Sequence, residues 1–89
     1  MKVVINSCYG GFGLSKEAYK FLGLEWDEYG YARISRTDPK LIECVETLGT
    51  KANGFFANLR VIEIPDDVKW EITEYDGCEQ VEEIHRIWY

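Results

Sequence analysis

The stretch Val3-Val4-Ile5-Asn6-Ser7-Cys8-Tyr9-Gly10-Gly11-Phe12-Gly13-Leu14-Ser15 decides how the chain folds. Three consecutive β-branched residues are too short a run for a helix and crowd χ1 within one, so Val3 to Ile5 reads as a buried strand at the centre of a sheet. Asn6 and Ser7 close it. Glycine at positions 10, 11 and 13 then frees the backbone to take positive φ or to approach another group closely. Ser15 follows as an N-cap, and Ala18, Tyr19, Phe21 and Leu22 supply the apolar contacts of a short helix that stops at Gly23.

Working outward, Leu24 to Ala32 carries Trp26, Tyr29 and Tyr31 among acids and is broken by Gly30. It reads as an irregular excursion whose rings either pack on the body or meet a ligand. The clearest helix follows Asp38-Pro39, where an Asp N-cap and a Pro at N1 preset the first turn and Gly49 closes the last. Leu41, Ile42, Val45 and Leu48 recur at three- and four-residue spacing, leaving Lys40, Glu43 and Glu46 for solvent. Lys51 to Asn58 is a loop around Asn53-Gly54 with Phe55 and Phe56 tucked under it.

Leu59 to Ile64 and Lys69 to Tyr75 read as strands joined by a turn at Pro65-Asp66-Asp67. Asp76-Gly77, the strongest turn signal in the chain, opens a hairpin into a last strand within Glu79 to Trp88, although Val81, Ile84 and Trp88 also fit a helical face. The order β-α-α-β-β-β predicts an α+β domain over residues 1–89. It has a small antiparallel or mixed sheet of about four strands, a C-terminal meander joined by the first strand, with two helices packed on one side.

Composition supports one packed core: the 89 residues are 46% hydrophobic and 15% aromatic, and a chain of this length buries roughly 60 to 65% of its unfolded surface. Sixteen acids against ten bases give a net charge of -6, which repels nucleic-acid backbones and anionic membranes, so neither is an expected partner. The acidic runs are no longer than pairs such as Asp66-Asp67, too sparse for a DNA mimic. Cys8, Cys44 and Cys78 are odd in number and lack CxxC spacing, Met1-Lys2 leads straight into the strand pattern, and no apolar run reaches membrane-span length. The expected setting is a reducing cytoplasm.

The run Asn6-Ser7-Cys8-Tyr9-Gly10-Gly11-Phe12-Gly13-Leu14-Ser15 resembles the start of a family of short proteins from bacteriophages and prophages. The likeness continues through Asp38-Pro39-Lys40-Leu41-Ile42, Val61 to Val68, Tyr75-Asp76-Gly77 and the terminal His85-Arg86-Ile87-Trp88. One departure is Gln80, where the family often carries an aromatic residue. The resemblance transfers no activity. It implies a phage setting inside a host cell, where small domains block a host system by binding a protein or sequestering a signalling molecule.

The glycine-rich turn ahead of a helix N-terminus can hold a phosphate or carboxylate, or can be a tight turn and nothing more. Tyr9, Gly10, Gly11, Phe12, Gly13 and Ser15 are the candidate ligand contacts, joined by His85, Arg86 and Trp88 if the last segment pairs beside the first strand. Arg would fork a phosphate and Trp would stack on a base. The alternative is that Arg86 pairs with Glu82 or Glu83 and Trp88 caps the core. Trp26, Tyr29 and Tyr31 with Arg33 and Arg36 form a second candidate group.

No residue is assigned a catalytic role: Cys8 and His85 can make a thiolate and base only if the fold joins them, and Cys8 fits packing better. One histidine and scattered cysteines give no metal-ligand spacing, and no cofactor is expected. The leading expectation is a non-enzymatic phage protein that sequesters a small, anionic, nucleotide-derived host immune signal, with a second subunit of a homo-oligomer helping to bury it. The alternatives are an inhibitor that occludes a host enzyme and, third, a small hydrolase of nucleotide signals.

Overall fold

The computed structural model describes residues 1–28, 30 and 33–84, which form an α+β fold of two helices and four antiparallel strands. The elements are β1 (Lys2–Asn6), α1 (Lys16–Leu22), α2 (Pro39–Leu48), β2 (Leu59–Glu63), β3 (Trp70–Tyr75) and β4 (Cys78–Glu83), with a 3₁₀ turn at Gly49–Ala52. The expected caps are in place. Ser15 Oγ accepts from the Ala18 N–H at 3.1 Å, and the Asp38 carboxylate accepts from the Lys40 N–H at 2.8 Å. Gly23 and Gly49 end the helices at φ of 72° and 58°, where a side chain would be strained.

The strands do not join into one meander. β1 pairs with β2, Val4 opposite Val61, and β3 pairs with β4, Ile72 opposite Val81, giving two separate two-stranded ladders. The first ladder runs out where the Ile64 N–H donates to Met1 O, and Pro65, with no N–H of its own, ends it. Among the described residues β1 therefore has a strand on one side only. Its other edge is met by the segment before α2, the Val4 N–H donating to Arg36 O at 2.8 Å.

A two-stranded ladder is marginal alone, so each leans on other elements. α2 packs on β1, β2 and α1, and Val4, Leu14, Ala18, Tyr19, Leu41, Cys44, Val45, Ala52 and Leu59 form the core between them. Each large apolar side chain buried there contributes about 1.5 to 3 kcal/mol. Cys44 takes a fully buried place on α2 beside Leu41 and Val45, while Ile42 and Leu48 sit at the border of the core. Val3 and Ile5 are buried as well, on the face opposite Val4 by strand alternation, so β1 is covered on both sides and its unbroken apolar run is explained. β4 lies against β1.

Candidate functional site

What attaches β3–β4 to the rest is a polar hub at the end of β1. Asn6 is fully buried, and its Nδ2 donates to Cys8 O at 2.7 Å and to Gly77 O at 2.8 Å. Its Oδ1 accepts from the Asn58 N–H at 2.8 Å and lies 3.3 Å from the Cys8 sulfur. Glu79 of β4 accepts two hydrogen bonds from the Arg36 guanidinium, at 2.6 and 2.9 Å, and a third from the Asn6 N–H at 2.9 Å. The guanidinium in turn lies 3.6 Å from the centroid of the Phe12 ring. A Cβ added to Gly77 would fall 2.6 Å from Gly11 N and 2.7 Å from Tyr9 O. The glycine-rich turn is thus the socket into which the chain's own Asp76-Gly77 hairpin tip docks.

The same close approach accounts for most of the glycine run. A Cβ at Gly10 would sit 1.8 Å from Phe56 O, and Gly13 O accepts from the Gly54 N–H at 3.0 Å. Gly11, at φ +91° with nothing within 4 Å of its Cβ position, is the open one. The amides that follow are committed within the chain: the Leu14 N–H donates to Gly30 O and the Ser15 N–H to Ala52 O, both at 2.9 Å. Ser15 Oγ, besides capping α1, donates to Lys51 O at 2.5 Å. Gly10, Gly11 and Gly13 line a hollow of about 170 Å³ whose one charged lining residue among those described is Glu28. That is a poor environment for an anion.

The expected contacts therefore separate. Gly10, Gly11 and Gly13 share the small hollow, Ser15 belongs to a neighbouring one, Phe12 lies under Arg36, and Tyr9 faces β3–β4. His85, Arg86 and Trp88 lie outside the described residues, as do Tyr29 and Tyr31. Trp26 packs edge-on to Tyr19, centroids 5.0 Å apart. Arg36 is held by Glu79 and is not a free phosphate contact.

Phe55 and Phe56 are not tucked under their loop. They are 88% and 75% exposed, and Tyr9 and Tyr75 are 71% and 77% exposed. A Cβ at Gly54 would lie 2.8 Å from Gly13 C, so backbone meets backbone at the base of the loop. The signal in the sequence is two adjacent large apolar residues just after a glycine, in a loop with no period that would turn both inward. Phe55 also lines a hollow of about 400 Å³ with Trp26, Lys16 and Glu17. Tyr9 and Tyr75 line another of about 380 Å³ on β3–β4, together with Thr73, Gln80 and Glu82.

The Cys8 thiol donates to Phe56 O at 2.7 Å and so ties the Phe55-Phe56 loop to the glycine turn. Burial pushes the Cys44 thiol above its ordinary pKa, which keeps it protonated and unreactive. No helix among the described residues is long and apolar enough to cross a membrane. Comparison with protein-family models, with curated proteins and with solved structures finds no match.

Proposed function

We propose that the chain is a non-enzymatic binding module that docks on another protein through the aromatic rim of its glycine-rich turn and occludes it. In the phage setting that the resemblance implies, the partner is a host enzyme. The observation that carries this is the exposure of Tyr9, Phe55, Phe56 and Tyr75 around one turn. Each ring presents about 150 to 250 Å² when bare, so the four together expose on the order of 600 Å². That is at the upper end of what a monomer leaves uncovered and approaches one partner's share of a standard interface. Tyr is also among the side chains enriched as binding hot spots, and Tyr and Phe are both enriched at protein interfaces.

A second reading, capture of a small nucleotide-derived signal, is favoured by the Trp26–Phe55 hollow. Its size of about 400 Å³ suits a ring-bearing ligand, and Lys16 supplies one cation beside the Glu17 carboxylate. The two separate in a single purification. Protein recovered with its partner from producing cells is compared with the double variant Phe55→Ser, Phe56→Ser, and small molecules released by heat are identified by mass spectrometry. Docking predicts one protein partner, rebuilt from purified components, whose affinity falls at least about tenfold in the double variant at unchanged melting temperature. Equal affinity refutes it. Intact small molecule released in stoichiometric amount from wild type, and absent from Trp26→Ala, establishes capture instead.

A further inference from the structure

The β3–β4 ribbon is built against its own electrostatics. Between Lys69 and Ile84 it carries Glu71, Glu74, Asp76, Glu79, Glu82 and Glu83 against a single lysine. The register sets Glu71 directly opposite Glu82 and Glu74 directly opposite Glu79. Like charges in directly opposed positions weaken a ladder, and a two-stranded one has little to spare. Arg36 discharges Glu79. Glu71 and Glu82 have no cation on them among the described residues.

Glu71, Thr73 and Tyr75 share one face of β3 by alternation, with Glu82 and Gln80 opposite them on β4. Among the described residues, the one substantial contact this ribbon makes with another strand or helix is β1 against β4. The glycine turn adds Tyr9, so that Tyr9 and Tyr75 wall the groove of about 380 Å³ at one end of the face, while the Glu71–Glu82 pair marks the other. Guanidinium is the protein cation most often found over a π-face, and a carboxylate pair accepts its forked donors.

Resting on the protein-docking function above, we propose that this face receives an extended, arginine-bearing segment of the partner. One guanidinium sits between Tyr9 and Tyr75, and another bridges Glu71 and Glu82. Glu71 and Tyr75 are four residues apart on an extended strand, about 13 Å. A single small cation does not reach both ends. Two arginines four residues apart on an extended peptide do. A metal ion is a poorer fit, because no three His, Cys, Asp or Glu side chains converge among the described residues.

The probe is the peptide acetyl-Arg-Ser-Gly-Ser-Arg-amide, titrated at low salt into isotopically labelled protein and followed by amide chemical shifts, with the Glu-for-Arg peptide as control. Shifts are expected at Tyr9, Thr73, Tyr75, Gln80 and Glu82, and none with the control. The double variant Glu71→Gln, Glu82→Gln and the single variant Tyr75→Ser should each weaken binding about tenfold. Glu17→Gln with Glu43→Gln, which removes the same charge from the helices, should leave affinity unchanged. Equal weakening by the helix pair, or shifts spread over α1 and α2, means attraction to bulk charge and overturns the assignment. So does a lower melting temperature in Glu71→Gln, Glu82→Gln, because relieved repulsion should raise it. With the purified partner, loss of binding in the Phe55→Ser, Phe56→Ser variant but not in the Glu71→Gln, Glu82→Gln variant removes this inference and leaves the docking function standing. Insensitivity to both removes the two together.

Discussion

Replacing Arg36 by Ala should destabilise the chain far more than a surface charge change would. The Glu79 side chain is 9% exposed and takes three hydrogen bonds, two of them from Arg36. Without the guanidinium its carboxylate stays buried on one amide donor, and stranding a buried charge in this way costs about 3 to 5 kcal/mol. Loss of the stack on Phe12 adds about 0.5 to 1 kcal/mol. A chain of this length has about 4 to 13 kcal/mol in all, so the melting temperature should fall by roughly 15 to 30 °C. Glu79→Gln should cost less, about 1 to 3 kcal/mol, because the Arg36 side chain is 24% exposed and can recover hydration. The pair Arg36→Met, Glu79→Leu should be milder than Arg36→Ala, since no buried charge is left behind. Urea unfolding followed by tryptophan fluorescence measures all three, and hydrogen exchange at the Asn6 amide reports whether β4 has left its dock. A loss under about 1 kcal/mol for Arg36→Ala would place the pair with ordinary surface salt bridges and refute the hub.

Gly10→Ala should lower the melting temperature more than Gly11→Ala, because the first drives a Cβ into Phe56 O while the second meets only the strain of φ +91°, about 1 to 2 kcal/mol; the reverse order would mean the Phe56 loop yields freely. Gly77→Ala combines positive φ with a Cβ 2.6 Å from Gly11 N, so amide exchange across β3–β4 should rise selectively over that in α2. For Cys44 the folded pKa is raised above the ordinary 9.0, so the unfolded chain loses the proton first and stability falls as pH climbs past that value; denaturation midpoints on either side should show this component in wild type and not in Cys44→Ala. Cys8→Ala should cost about 0.5 to 1.5 kcal/mol through its bond to Phe56 O and leave partner binding intact, and a binding defect in the folded variant would contradict a purely structural thiol.

Local chemistry was legible residue by residue. Ser15, Gly23, Asp38, Pro39 and Gly49 mark both helices because capping and positive φ are decided within one turn of chain. Val3-Val4-Ile5 announces a strand covered on both faces, and Asp76-Gly77 announces a hairpin, for the same reason of short range. The α+β class follows from the order of those elements. The expected site was only partly legible. The glycines do mark a place where backbones come close, but their spacing does not say whether the group that approaches is a ligand or the chain itself.

Tertiary structure settled what depends on residues distant in sequence. Arg36 and Glu79, 43 positions apart, and Asn6 and Gly77, 71 apart, meet because two separate ladders are locked together at one hub. No periodicity encodes such a meeting. Phe55 and Phe56 are exposed where Gly13 and Gly54 bring backbone against backbone, an approach between residues far apart in sequence that hydrophobicity alone does not encode. Sequence determines which conformations each short segment prefers. Only the folded chain decides which surfaces are used up against each other, here the glycine turn against the hairpin tip, and which are left bare, here the four rings around it.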